Sequence, residues 1–408
     1  MFRLRRQRLA LVACVVLALT ACVACGSAAG RPSAQAPTTW APLVSTLPAA
    51  TAAVTPPLSC PALIESRMTE AQRVGQLFLV AFEGDPAAEA ASTAGTYHFG
   101  SWLMAASDTV STAAMAAELR AVQSQATSRA TRDVRFFVAA NQEGGEVQAL
   151  RGPGFPAMPS ALAQGQVPAG TLEDQAAAWG RALLSAGVNL NLAPVMDVVP
   201  RASAAQNQPI GALQREFGYD PQTNGTHGVA FIRGMRQAGV ASVAKHFPGL
   251  GQVRGNTDFT ADVVDTTTAA GDADLGSFQS AVDAGVPFVM VALATYTRID
   301  AQHLAVFSSR VINGLLRHQM HFRGVIVSDD LGAAAAVAGI PVADRGVDFL
   351  AAGGDLITSQ SLSAAEGMEH GILARMASDP SFRSVVNAAA RRVLTAKQAS
   401  GLVSCPQP

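Results

Sequence analysis

The stretch Gly324-Val325-Ile326-Val327-Ser328-Asp329-Asp330-Leu331 is a short apolar run that ends in two acids. A parallel strand covered on both faces reads as continuous apolar sequence and not as an alternation, so this run predicts a fully buried strand. A carboxylate at the C-terminal end of such a strand is delivered to a site and not to a core. Asp329 is therefore the first candidate for chemistry. Capping of the following helix is the other use an acid has at this point.

Outward from this stretch, similar apolar runs lie at 77–82, 100–104, 135–141, 189–197, 240–246, 288–294 and 355–358, which with 325–328 makes eight. Each is followed by Gly, Ala and polar sequence long enough for a helix, as at 174–186 and 226–238. Thr69 and Gln72 have the spacing of a capping box ahead of a helix carrying Val74 and Leu77. Eight strands alternating with helices predict an α/β fold, a TIM-like (β/α)8 barrel formed as a single domain over residues 60–405. The same alternation also builds a doubly wound open sheet. No repeat of 20 to 50 residues and no second domain is read.

The chain has 408 residues, 49% of them hydrophobic, enough for one large core, and 36 Gly consistent with many short connections. Residues 1–21 carry Arg3, Arg5, Arg6 and Arg8, then an apolar run, then Leu19-Thr20-Ala21-Cys22. Basic, apolar and small residues before a Cys make a bacterial secretory leader of the lipoprotein kind, with Cys22 acylated as the new N-terminus. The apolar run has roughly 13 residues, too few to span a bilayer. Residues 22–59 are rich in Ala, Pro, Thr and Ser with Arg31 as the one charge, a composition that forms a flexible tether and no core. The expected location is the outer face of the bacterial cell membrane, held through the lipid alone.

Removal of the leader takes away four Arg and no acid and moves the formal charge from −1 to −5. A mildly acidic domain is a poor nucleic-acid binder. Cys22 and Cys25 form a C-x-x-C, but at a processing site with no strand before it, so a redox pair is not read there. Cys60 and Cys405 remain, one at each end of the domain. In an oxidising compartment they are expected to form a disulfide, with about 5 to 6 kcal/mol as the chain-entropy ceiling.

Polar groups gather where the predicted strands end: Asn141-Gln142-Glu143-Gly144-Gly145 after the third, Asp197 after the fourth, Lys245-His246 at the fifth, Asp329-Asp330 at the seventh. In a barrel these ends share one face and one cleft. Taken singly, Asp197 also suits a buried partner for an Arg, and His246 a satisfied core histidine. There is no H-E-x-x-H, no Cys and His cluster for zinc and no G-x-S-x-G elbow, and no metal or organic cofactor is implied. The run Gly249-Leu250-Gly251-Gln252-Val253-Arg254-Gly255 has one residue too many before its last Gly for a dinucleotide fingerprint.

Six ordered motifs carry a resemblance to glycoside hydrolase family 3, in its bacterial β-N-acetylglucosaminidase branch. They are Val74-Gly75-Gln76-Leu77-Phe78, Asn141 to Gly145, Ala193-Pro194-Val195-Met196-Asp197, Arg215-Glu216-Phe217-Gly218, Lys245-His246-Phe247-Pro248-Gly249 and Ser328-Asp329-Asp330-Leu331. The resemblance covers about residues 62–400. It implies a TIM-like barrel in which Asp329 attacks the anomeric carbon, while Arg215, Lys245 and His246 hydrogen-bond the sugar. Hydroxyl-rich ligands need fixed donors, and a nucleophile must stay ionised beside cations.

A retaining glycosidase also needs a proton donor near the nucleophile. In the family the loop after the fifth strand resembles K-H-F-P-G-H-G and ends in D-S-H, whose Asp and His share that role. This chain has Leu250 at the first His and Asn256-Thr257-Asp258-Phe259-Thr260 at the dyad. Asp258 aligns with the dyad Asp and Thr260 with its His, and a threonine hydroxyl does not shuttle protons near neutral pH. Either Asp258 acts alone, another group enters the cleft, or protonation is lost. Asn141 also stands where the family has a sugar-binding Asp, Ala149 where it has an Arg, and Leu293 where it has a His, with Arg151 close enough in sequence to replace the guanidinium.

The expected function is a lipid-anchored retaining glycosidase acting on a β-linked N-acetylhexosaminide or related cell-wall sugar, with Asp329 as nucleophile and Asp258 as acid/base. The alternative is a sugar-binding or wall-sensing lipoprotein on the same barrel. Phosphorolysis lacks a basic cluster to hold phosphate.

Overall fold

The computed structural model describes residues 58–405 apart from Ala105 and Asp108. The leader, Cys22 and nearly all of the tether lie outside those residues. Eight short strands form the centre: β1 (Phe78–Ala81), β2 (Ser101–Leu103), β3 (Phe137–Ala140), β4 (Leu190–Asn191), β5 (Ala241–Phe247), β6 (Phe288–Val291), β7 (Val325–Asp330) and β8 (Leu356–Ser359). Every one falls within two residues of a predicted run. They close as β1-β8-β7-β6-β5-β4-β3-β2, all pairs parallel, and β1 bonds both β2 and β8, so the open sheet is excluded.

Each strand is followed by a helix that returns the chain: α1 (Pro86–Thr93), α2 (Thr112–Ser124), α3 (Ala169–Ser185), α4 (Pro221–Gln237), α5 (Gly276–Asp283), the wider-wound α6 (Arg310–Gln319), α7 (Val342–Ala351) and α8 (Leu362–Ser378). Their starts follow from local chemistry. Ser111, Asp220 and Ser361 each accept from a backbone N–H of the first turn, and Pro stands at the first turn of α1 and α4. Between α3 and α4 the approach is so close that a Cβ on Gly234 would run into the Glu173 carbonyl.

The strands are buried because both of their faces are covered, by helices outside and by each other inside. Phe137 of β3 and Phe288 of β6, which are not neighbours in the sheet, meet across the lumen at 5.4 Å between ring centroids. Below them the C-terminal helix Pro380–Ala399 sends Lys397 into the floor of the barrel, where its Nζ donates to Gln76 Oε1 at 2.7 Å and to the Gly100 carbonyl at 2.6 Å. Burial pulls the Lys397 pKa down to about 7. The capping box forms as predicted, with Gln72 N donating to Thr69 Oγ1 and Thr69 N to Gln72 Oε1.

Cys60 and Cys405 are bonded to each other across a sequence separation of 345. The bridge joins the helix Cys60–Arg67 to the segment that follows the C-terminal helix, so both ends of the described chain are held at one place.

Candidate active site

Lys245 and His246 are consecutive yet both line one cleft at the C-terminal ends of the strands, together with Asn141, Arg215, Asp258 and Asp329. Strand pleating sends successive side chains to opposite faces, so a local change of register is required. β5 supplies it. Ala244 opposes Val289 and Phe247 opposes Val291, so three steps on β5 match two on β6. β7 does the same, with Val327 opposite Leu356 and Asp330 opposite Thr358. Bulges of this kind re-aim side chains at the rims of barrels. In β7 the Ser328 hydroxyl fills the broken ladder by accepting from Thr358 N at 2.9 Å.

The two acids at the end of β7 divide their work. Asp330 is buried and fully engaged: Oδ1 accepts from Gly332 N at 2.8 Å and Gln360 N at 2.9 Å, and Oδ2 from Ala333 N at 3.1 Å. It shapes the turn after the strand. Asp329 accepts one backbone bond, from Asp330 N at 2.9 Å, and faces the cleft. Neither acid caps the helix that follows, since the short helical turn Ala335–Val337 starts at Ala334 and α7 at Pro341, both without a side-chain cap.

At the base of the cleft a carboxylate that the motif reading passed over organises the cations. Glu143 lies in the hairpin of Gln142–Gly144 and Val147–Gln148 that follows β3, whose tight reversal places Gly144 and Gly145 at φ +113° and +57°. Arg215 makes a bidentate bond to it, Nε to Oε2 and Nη2 to Oε1, each at 2.8 Å, and Lys245 Nζ reaches Oε1 at 2.7 Å. Lys245 also donates to Asn141 Oδ1 at 2.9 Å. Burial of Glu143 acts to raise its pKa, but Arg215 and Lys245 outweigh it and hold the carboxyl at about 2. Arg215 is shifted upward, its own burial overcome by Glu143. Lys245 is shifted downward, because desolvation of a fully enclosed ammonium exceeds what Glu143 returns.

Asp197 is the partner of His246 and not of an Arg. Its Oδ2 meets His246 Nδ1 at 2.8 Å, and Oδ1 accepts from His246 N at 3.2 Å and Leu250 N at 2.9 Å. This fixes the imidazole orientation and leaves Nε2 as the atom that addresses the cleft. Leu250, in place of the family His, is buried against the same wall.

Asp258 stands in the loop after β5, exposed at the cleft mouth. Asn256 caps this loop, accepting from Asp258 N through Oδ1 at 2.9 Å. The Asp258 pKa is raised, first by desolvation within the surrounding protein and then by the charge of Asp329, against smaller opposing effects of His246, Arg215 and Lys245. The loop is pinned. Asn207 Nδ2 donates to the carbonyls of Leu250 and Val253, both at 2.7 Å, Tyr296 donates to the Gly249 carbonyl at 2.8 Å, and a Cβ on Gly251 would collide with the Val198 carbonyl.

Arg151 is not brought to the cleft. It is exposed, and its Nη2 donates to the carbonyls of Gly145 at 2.6 Å and Glu146 at 3.3 Å, so it braces the hairpin behind Glu143. Thr260, the residue at the place of the dyad His, is exposed and does not line the cleft either. Among the described residues the lining therefore has Asp329, Asp258 and the backbone-engaged Asp330 as carboxylic acids outside the cation cluster, a donor-rich base, and apolar walls from Leu103, Leu192 and Met290. The enclosed volume of about 320 Å3 suits one sugar ring.

A family model described as glycosyl hydrolase family 3 N terminal domain matches residues 69–396. A β-hexosaminidase of Xanthomonas oryzae pv. oryzae is 35% identical over 265 residues, which covers 60% of this chain and 75% of that relative. Among solved structures, a β-N-acetylhexosaminidase from Beutenbergia cavernae is 44% identical with a TM-score of 0.79, over 81% of this chain and 99% of the other. A family 3 β-N-acetylglucosaminidase from a Paenibacillus species is 26% identical with a TM-score of 0.74, over 84% and 64%.

Proposed function

The chain belongs to glycosyl hydrolase family 3, and from that premise we propose that it is a glycosidase hydrolysing the O-glycosyl bond of a β-linked N-acetylhexosaminide with retention of configuration. The observation that carries the mechanism is the pairing of Asp329 and Asp258 in one cleft whose base is made of fixed donors.

In the first step the Asp329 carboxylate bonds to the anomeric carbon, the glycosidic C–O bond breaks, and its electron pair leaves with the departing oxygen. Asp258 gives that oxygen its proton. In the second step Asp258 takes a proton from water, the water oxygen bonds to the anomeric carbon, and the bond to Asp329 breaks. The environment of Asp258 supports the donor role: desolvation and the neighbouring anion both favour its protonated form. Its position supports it too, since the leaving group must depart toward solvent and Asp258 is at the mouth. Arg215, Lys245, His246 through Nε2 and Asn141 hold the hydroxyl and acetamido groups of the sugar, and Arg151 acts on the hairpin and not on the sugar.

The basic, apolar and small-residue order of residues 1–22 supports acylation of Cys22 and a location on the outer face of the bacterial membrane, which suits a cell-wall glycan as the source of the substrate. The test is incubation with an aryl β-N-acetylglucosaminide, followed by trapping with a 2-fluoro sugar and peptide mass analysis. Label on Asp329 is the expected result. Sugar binding with neither turnover nor label would replace the hydrolase reading by that of a binding lipoprotein, to which the exposed Thr260 in place of a proton-shuttling His would then be the clue.

A further inference from the structure

Phe259 is 83% exposed and lines the cleft mouth directly after Asp258. A large aromatic ring displayed at the mouth of a cleft presents an apolar, electron-rich face to whatever enters it. Looseness of the loop does not account for the display. Phe259 N and Thr260 N both donate to the Asn256 carbonyl, at 3.1 and 2.8 Å, closing a tight turn. The carbonyls of Thr257 and Asp258 accept from Ala336 N and Ala335 N, each at 3.1 Å, which ties the turn to the segment that follows Asp329. Ring and proton donor are thus held in one turn that is bonded to the segment following the nucleophile.

We propose that Phe259 is the platform of the leaving-group subsite, taking the C–H face of a pyranose ring. This rests on the reading of Asp258 as proton donor: the departing oxygen must come within reach of that carboxyl, so the group attached to it passes beside residue 259. A β-linked pyranose with equatorial substituents presents axial C–H bonds as an apolar, weakly positive face, the complement of the electron-rich face of a phenyl ring. The chemical class selected is a saccharide leaving group with such a ring, in preference to a small alcohol.

The experiment compares three glycosides of one N-acetylhexosamine that differ in the leaving group, namely the glycosyl fluoride, an aryl glycoside and a β-1,4-linked disaccharide, with the native protein, Phe259→Ala and Phe259→Trp. The expected result is that Phe259→Ala lowers the ratio of kcat/KM for the disaccharide to that for the fluoride by about five- to tenfold, through KM, and that Phe259→Trp restores it. An unchanged ratio overturns the proposal. If the native protein turns over none of the three, the hydrolase reading fails while the subsite is still decided by calorimetry. A five- to tenfold loss in disaccharide affinity relative to the monosaccharide, roughly the same aromatic contribution, supports it, and parallel affinities overturn it.

Discussion

Replacing Glu143 by Gln keeps the shape of the side chain and removes the charge that holds Arg215 and Lys245 together. The carboxyl sits at about 2 against an ordinary 4.5, a difference worth about 3 kcal/mol in favour of the folded, charged form. The residue is 4% exposed, so water does little to reduce that figure. In the variant two cations face each other without a counter-ion, and an amide N–H2 points at one of them. The cost expected at pH 7 is therefore about 3 kcal/mol, the range for breaking a buried ion pair from one side. The sign with pH follows from the direction of the shift. A carboxyl with a lowered folded pKa stabilises above its unfolded value, and that contribution is lost as pH falls from about 4.5 toward 2. Gln does not titrate, so the gap between native protein and variant narrows by about 2 kcal/mol between pH 7 and pH 3. Urea unfolding midpoints at the two pH values measure both quantities. A gap at pH 7 under about 0.5 kcal/mol, or one that does not change with pH, would refute the role of Glu143 as the hub of the cation cluster.

Asp258→Asn is expected to slow cleavage of a disaccharide by about 10² to 10⁴ while sparing substrates whose leaving groups need no proton, which initial rates on a leaving-group series will check. Lys397 has a folded pKa of about 7, below its unfolded value of 10.5. The folded state therefore binds fewer protons between those limits, and its stability rises with pH there. Between pH 7.5 and 9 the stability of the native protein should rise by up to about 2 kcal/mol relative to Lys397→Met, and a constant difference in chemical denaturation would contradict this. Cys60→Ser removes a link closing 345 residues, and a loss of about 2 to 4 kcal/mol is expected, together with unfolding that no longer responds to reductant. Arg151→Ala should leave KM for an aryl glycoside within about twofold, since the guanidinium touches only the backbone of the hairpin; a tenfold rise would return Arg151 to the sugar site.

The eight strands were legible because a parallel strand buried on both faces needs apolar side chains at every position, a pattern that survives without knowledge of any neighbour. The capping box at Thr69 and Gln72 was legible for a like reason, since both partners lie within one turn. Count and order favoured a ring but also allowed an open sheet; the pairing of β1 with both β2 and β8 closes it and brings Asn141, Lys245, His246 and Asp329 to one face.

Contacts between distant parts of the chain were not written there. Glu143 reads as one acid in a turn until folding brings Arg215 from 72 positions away. Asp197 reads as a partner for any cation until β5 places His246 against it. Arg151, close in sequence to the expected guanidinium, is turned to the hairpin by carbonyls that only the folded loop presents. The choice between Asp329 and Asp330 depended on a single extra residue of register in β7, which aims one carboxylate into the cleft and gives the other to three backbone N–H groups. Sequence alone determined where the buried strands lie and in what order the elements come, because hydrophobicity is carried by each residue by itself. Tertiary structure decided which charges meet, because an electrostatic partner is chosen by distance in space and not by separation along the chain.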